Sequence, residues 1–382
     1  MLTEDNLNAL ADIFEDRFSE VSSGVLQYIG ETLKSIKELT PSQARRLQQM
    51  YNYGADINSI KRQLSRTSGM KMKDIESLFE SVAREGYEWS KPFYDAGDVK
   101  QIPFRSNDAL QEIIRSQSAI TANTLKNISN TTVFGIKTAR GFENFGRYYK
   151  KAVDKSISAV ITGVTDYNTT IREVLKELGG SGLRIQHASG HTRRLDSAVR
   201  QNVLDGVRHV AQETANYNGR KFGADGVELS AHTPCAPDHL PYQGRQYSNA
   251  EFNVLQRSLD RPIGEWNCMH IAYSILLGVS RAVHTSADRR EMQRYSREKI
   301  VIEGREYTRY ECTQIQRQIE TEMRNLREGR ALYKAVGDAQ LTREANKNLR
   351  LLADKYTMVS DRAGLPMRAE RTKTVMARLT GG

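Results

Sequence analysis

Residues 230–273 concentrate the side chains able to hold a metal or move a proton. This stretch of about forty residues holds His232, His239 and His270, with Cys235 and Cys268, two of the three cysteines in the chain. In order the donors read His232-x2-Cys235-x3-His239, then a long loop, then Cys268-x-His270. Zinc takes about four N or S donors in a tetrahedron, commonly as two short-spaced pairs joined by a loop. The order permits such a site on His232, His239, Cys268 and His270, although the spacings match no standard zinc finger. On a strand Cys268 and His270 would point the same way. A nucleophilic Cys268 beside His239 or His270 is a second chemistry, but no oxyanion loop or cysteine-hydrolase signature accompanies it. A zinc deaminase needs His-x-Glu and Pro-Cys-x-x-Cys; His232 lacks the Glu and Pro234-Cys235 lacks the second Cys. No phosphate loop or dinucleotide fingerprint is present. The plain alternative is a hydrogen-bonded structural knot in which Cys acts as a small hydrophobe.

The elements around the cluster follow from periodicity. Val227, Leu229 and Ala231 alternate with Glu228, Ser230 and His232, a strand pattern leading into the first donors. Tyr242-Gln243-Gly244-Arg245-Gln246-Tyr247 reads as a turn entering a strand, with Gly244 supplying an unusual backbone angle and the aromatics packing. Trp266 beside Asn267 anchors the second half, and 268–276 reads as a strand or a buried helix. Upstream, Leu195, Val199, Val203, Val207 and Val210 stripe one helix, closed by Gly223 and Gly226. Downstream, Ile300-Val301-Ile302, then Glu303-Gly304, then 305–308 reads as a hairpin. Helical periods follow at Ile315, Ile319, Met323 and Leu326, and at Leu341, Ala345, Leu349 and Leu352.

The remaining chain is helical in pattern. Leu7, Leu10, Phe14, Val21 and Val25 fall at helical spacings. Thr40-Pro41-Ser42-Gln43 has the form of a capping box with proline at the first helical position. Pro92, Gly97 and Pro103 break the pattern, which predicts a linker over 91–107, and Ser106 or Asn107 then caps another helix. A glycine-bearing interruption falls near 135–146, and Gly179-Gly180-Ser181-Gly182 reads as a hinge. The resulting division is a helical region 1–90, the linker 91–107, a helical region 108–179, an α+β motif domain 183–310 and C-terminal helices 311–382. The fold class is mainly α with a small α+β motif domain.

Length and composition narrow the function classes. At 382 residues, 38% hydrophobic and 27% charged, the chain suffices for two or three domains. Its formal net charge of +10 favours nucleic acid or an acidic protein surface as a neighbour. Three cysteines far apart in sequence make no disulfide framework and fit a reducing compartment. The amphipathic, acidic N-terminus is unlike a signal peptide, and no apolar run is long enough for a transmembrane helix.

Taken together, Ser230-Ala231-His232, then Asp238-His239-x-x-Tyr242-Gln243-Gly244-Arg245, then Asn267-Cys268-x-His270 resembles the phage minor capsid protein type 2 family, a relative of the Mu F-like head-morphogenesis proteins. That family's pattern is Ser-Ala-His, Ser/Asp-His-x-x-Trp-Gln-Gly-Lys and Asn-Cys-Arg-His. The resemblance spans about 165–370, with His191 and Ala198-Val199-Arg200 on its approach and 314–330 in its helical tail. Tyr242 stands where the family prefers Trp, and Met269 replaces the Arg of Asn-Cys-Arg-His. The residues LDRPIGE replace a glycine-rich loop, and Cys235 occupies the place of a small residue, which sets it aside as a family ligand.

The resemblance implies a structural virion protein of a tailed phage or prophage, made in the host cytoplasm and present in few copies in the head. Its implied partners are the portal protein and other head proteins, together with packaged double-stranded DNA. Its implied work is head assembly or DNA packaging and ejection; the lack of a recognisable catalytic set adds the expectation of no turnover, and of no cofactor unless the donor set holds zinc. A metal-dependent hydrolase or toxin-like enzyme carried in the head, and a DNA-binding module, are the alternative classes.

Overall fold

The computed structural model describes residues 4–51, 58, 72–130, 134–162, 167–186, 190–265 and 268–372. The chain opens with α1 (Glu4–Lys37), α2 (Pro41–Met50), α3 (Met72–Trp89), α4 (Lys91–Ala96) and α5 (Asp108–Asn130). A hairpin of β1 (Phe134–Thr138) and β2 (Gly141–Asn144) precedes α6 (Phe145–Thr162) and α7 (Tyr167–Ser181). Next come β3 (Arg184–Gln186), β4 (Thr192–Arg194), α8 (Leu195–Phe222), β5 (Gly226–Leu229), β6 (Gln246–Ser248), α9 (Asn249–Ser258) and β7 (Ala272–Ile275). The chain continues through α10 (Ser286–Arg297), β8 (Lys299–Ile302), β9 (Arg305–Thr308), α11 (Arg309–Val336) and α12 (Ala339–Ala363). Helices dominate, with three small antiparallel sheets among the described residues ordered β2-β1-β3-β4, β6-β5-β7 and β8-β9. This is the mainly α architecture with a small β component that the sequence predicts. No described helix is long and apolar enough to cross a membrane.

The chain forms two compact bodies, each built from separated stretches. One comprises Met1–Asp12, Met70–Thr124 and Gln201–Gln314; the other comprises Ile13–Gly69, Leu125–Arg200 and Ile315–Gly382. The regions drawn from sequence follow composition, whereas the bodies follow packing, so the stretch 1–90 contributes to both.

The first body carries the histidine–cysteine segment. Along α3, Ile75, Leu78, Phe79, Val82, Ala83 and Tyr87 recur at helical spacing and are buried. Tyr87, Tyr94, Leu110, Tyr217 and Phe222 form a core, with Phe93, Val99 and Phe104 packed against it. The segment expected as a linker, 91–107, therefore packs into the body. Tyr94 donates to Asn218 Oδ1 at 3.0 Å, Asn218 Nδ2 donates to Ser90 Oγ at 2.9 Å, and Tyr87 donates to Ile102 O at 2.8 Å. Pro92 sits in the first turn of a short helix, where its missing N–H costs nothing, so prolines that look like breakers shape a packed connection.

Gln212 of helix α8 bonds both backbone groups of Ala272 on strand β7. Gln212 Nε2 donates to Ala272 O at 2.9 Å, and Ala272 N–H donates to Gln212 Oε1 at 3.0 Å. β7 is an edge strand, and this amide occupies backbone groups that a further strand would otherwise use.

In the second body α7 and α11 cross at two glycines. A Cβ on Gly179 would lie 2.7 Å from Gly329 Cα and 2.5 Å from Tyr333 Oη. The run Gly179-Gly180-Ser181-Gly182 is accordingly not a hinge. Its first three residues belong to α7, and Gly182, at φ 61°, ends the helix in the left-handed region. Likewise the interruption near 135–146 is the β1–β2 hairpin, paired from Gly135↔Asn144 to Thr138↔Gly141.

Candidate functional site

Two loops of the first body meet to form the site. The first leaves β5 after Leu229 and returns at Gly244, whose φ of 65° is one that only glycine adopts readily. At its base Gly244 N–H donates to Leu229 O and Leu229 N–H to Arg245 O, both at 2.9 Å. Within the loop, residues 236–243 wind into helical turns. The amides of His239 and Leu240 donate to Ala236 O, and those of Tyr242 and Gln243 donate to His239 O. His239 and Gln243, four apart, therefore share a face.

The second loop follows α9. Gln256 of that helix grips Ile263 at both backbone groups, accepting from its N–H at 2.7 Å and donating to its carbonyl at 3.1 Å. Ile263 and Cys268 pack with Leu229 in a small core bordered by Tyr242, Tyr247, Phe252 and Leu259. Arg208 of α8 donates to Cys268 O and pairs with Asp205. Beyond Cys268 the chain joins the sheet. Ser230 N–H donates to Ile271 O at 3.0 Å and Ile271 N–H to Ser230 Oγ at 2.9 Å, which fixes His270 beside the start of the first loop.

The four donors expected from sequence come together, and Cys235 joins them. They form two overlapping triads, His239–Cys268–His270 and His232–Cys235–His270, each with donor atoms within 4.8 Å of one another. His270 is common to both. Its Nδ1 lies 3.2 Å from Cys268 Sγ, and its Nε2 lies 3.1 Å from Gln243 Oε1 and 3.8 Å from Cys235 Sγ. His239 presents Nδ1 to Cys268 Sγ at 3.3 Å and Nε2 to Arg261 O at 2.7 Å. The His232 ring is 4.6 Å from that of His270, and its backbone N–H donates to Gln243 Oε1 at 3.0 Å. Asp238 is exposed and holds Arg261 through two hydrogen bonds of 2.8 Å. Tyr242 is half-buried and accepts at its carbonyl from Tyr247 Oη at 2.9 Å. Asn267 and Trp266 lie outside the described residues.

The electrostatics separate the two buried imidazoles. Burial, reinforced by His232, His239 and Arg261, pushes His270 well below the usual histidine range, so it is neutral at pH 7. Burial also opposes charge on His239, but the Cys268 thiol and the Arg261 carbonyl outweigh it and hold His239 above its ordinary value. Burial raises Cys268, yet hydrogen bonds from His239 and from the backbone N–H groups of Gly264 and His270 bring it below the usual thiol value. Both shifts move the Cys268–His239 pair toward thiolate and imidazolium, with one proton shared between Sγ and Nδ1. Such a pair is nucleophilic in kind, but Cys268 is 2% and His239 0% exposed. The geometry suits a metal or a hydrogen-bonded knot better than a substrate.

Three contributors escaped the sequence reading. Cys235 was set aside because its position departs from the family pattern. Arg261 acts through its carbonyl as well as its guanidinium, and the carbonyl has no residue-type signature. Arg208 did leave a trace: it lies four residues after Leu204 and three before Ala211, both buried, and is itself 6% exposed. An arginine at that phase of the helix marks a buried polar task.

The family model described as phage minor capsid protein 2 matches residues 2–358. No curated protein and no solved structure matches the chain.

Proposed function

Because the chain belongs to the phage minor capsid protein 2 family, and is thus a structural protein of the phage head, we propose that it sits at the portal vertex in few copies, where it assists head assembly and the passage of DNA. The observation that carries this reading is the match over residues 2–358, nearly the whole chain, which makes the two bodies together the family's unit. The net charge of +10 supports a place beside DNA or an acidic portal surface. The burial of Cys268 and His239 speaks for a structural cluster over a hydrolase.

Co-expression with the portal protein encoded in the same genome tests the reading. The account expects the two to co-purify and to cross-link in assembled heads. Heads that assemble and package normally without this chain would overturn it. The DNA contact is tested separately by duplex binding across a salt series, since each neutralised phosphate contributes about −0.9 to the log–log slope. Absent or salt-insensitive binding would leave protein contact as the use of the charge.

A further inference from the structure

We propose that His239 Nδ1, Cys268 Sγ and His270 Nδ1 are the protein ligands of one zinc ion. The distances fit before any ion is placed. Tetrahedral zinc with Zn–S of about 2.3 Å and Zn–N of about 2.0–2.1 Å sets sulfur and nitrogen about 3.5 Å apart. Here Cys268 Sγ is 3.3 Å from His239 Nδ1 and 3.2 Å from His270 Nδ1.

The outer contacts of both imidazoles match those of metal ligands. A ligating histidine donates its other ring N–H to an oxygen, which fixes the tautomer and aims the free lone pair at the metal. His239 Nε2 faces the Arg261 carbonyl at 2.7 Å. His270 Nε2 faces Gln243 Oε1 at 3.1 Å, and that oxygen is fixed as an acceptor because His232 N–H also donates to it, at 3.0 Å. With both Nε2 atoms protonated, both Nδ1 lone pairs converge on the sulfur. The sulfur is prepared as well: His270 N–H points at it from 3.4 Å. N–H groups aimed at a sulfur favour thiolate, the form that binds metal. Zinc then takes the place of the proton shared by His239 and Cys268, and binding releases that proton to solvent.

The second triad is the weaker candidate. It reaches His270 through Nε2, the nitrogen that Gln243 already engages, and its Cys235 Sγ stands farther off, at 3.8 Å. Among the described residues no fourth donor joins the first triad within the same spacing. Two imidazoles with one thiolate select a borderline-soft ion over calcium or magnesium.

The test uses the full chain purified after growth with zinc. Elemental analysis should find about one zinc per chain, and X-ray absorption at the zinc edge should show one sulfur among nitrogen and oxygen neighbours. The chain has three cysteines, so Cys235→Ser/Cys312→Ser leaves Cys268 as the sole thiol. Loaded with cobalt, that variant should keep the thiolate-to-metal charge-transfer band, and Cys268→Ser should lose it. Gln243→Ala should weaken zinc affinity about 10–100-fold in competition with a chromophoric chelator. A folded chain without zinc, two sulfurs at the zinc edge, or zinc retained by Cys268→Ser would each overturn the assignment. These outcomes leave the role in the head untouched, because the ligands are judged by metal content alone.

Discussion

Arg261 grips Asp238 with two nitrogens, Nε to Oδ2 and Nη2 to Oδ1, each at 2.8 Å. The same arginine's carbonyl accepts from His239, the residue next to Asp238. One residue of the second loop therefore holds the first loop by side chain and by backbone. Arg261→Ala should lower stability by about 1 kcal/mol, a modest figure because Asp238 is solvent-exposed. Arg261→Lys should restore only part of the loss, since an ammonium cannot reproduce the planar two-pronged contact. Chemical denaturation of the three proteins measures both effects, and equal stability in all of them would show the pair to be incidental.

The glycine crossing of α7 and α11 makes a contrasting pair of predictions. Gly179→Ala forces a methyl against Gly329 Cα and the Tyr333 hydroxyl and should cost about 1–3 kcal/mol through overpacking. Gly180, its neighbour in the same helix, has open space where a Cβ would go. Gly180→Ala should be neutral or stabilising by up to about 1 kcal/mol. Thermal unfolding of the two variants separates close packing from hinge flexibility, because a hinge would respond similarly at both positions.

A buried ion cluster holds the second body. Arg194 donates to Glu328 Oε1 at 2.7 Å and to Asp196 Oδ2 at 2.9 Å, with side-chain exposures of 2%, 0% and 1%. Asn325 also accepts from Arg194, and Arg324 pairs with Glu15. Removing one partner of a buried pair strands the other charge. Glu328→Ala should cost about 3 kcal/mol, toward the low end of the range for such losses, because Asp196 still faces Arg194. A loss below about 0.5 kcal/mol, typical of surface changes, would contradict the cluster's structural role.

The acid limb of stability is expected to depend on Asp338. Its carboxylate caps α12 by accepting from Gln340 N–H at 3.1 Å and Leu341 N–H at 3.0 Å, and it pairs with Arg172 at 2.7 Å. Burial pushes this carboxyl up, but the Leu341 amide, Arg172 and the Gln340 amide hold it below its usual range. A depressed folded pKa gives stability that is present above the unfolded value of about 3.9 and is lost as pH falls through the folded value. Asp338→Asn keeps the cap but not the charge. It should be less stable than the parent at pH 7 and show a shallower decline below about pH 4. Asp338→Ala should lose about 1 kcal/mol through the cap alone. Unfolding midpoints from pH 7 to pH 3 would show whether the parent and Asp338→Asn converge on acidification.

What the sequence disclosed was local chemistry. The Thr40–Gln43 capping box forms as read, with Thr40 Oγ1 accepting from Gln43 N–H and Gln43 Oε1 accepting from Thr40 N–H. The hairpin at 299–308 turns on Glu303 and Gly304, at φ 50° and 79°, as its Glu-Gly pair suggested. The convergence of His232, His239, Cys268 and His270 was legible because rare side chains fell in two short elements. What stayed hidden depends on distant partners. Nothing local shows that Tyr94, between two prolines, finds Asn218, 124 residues away. Nor does anything local show that Gly179 meets Gly329, or that Arg208 reaches Cys268. Cys235 was missed for another reason: comparison with a family pattern outweighed its position three residues from His232.

A cryo-EM reconstruction of the purified virion without imposed symmetry, with this chain traced, tests the central claim most directly. The account predicts a few copies seated at the portal vertex, each keeping the His239–Cys268–His270 cluster. Copies spread over the whole shell, or virions lacking the chain altogether, would contradict it.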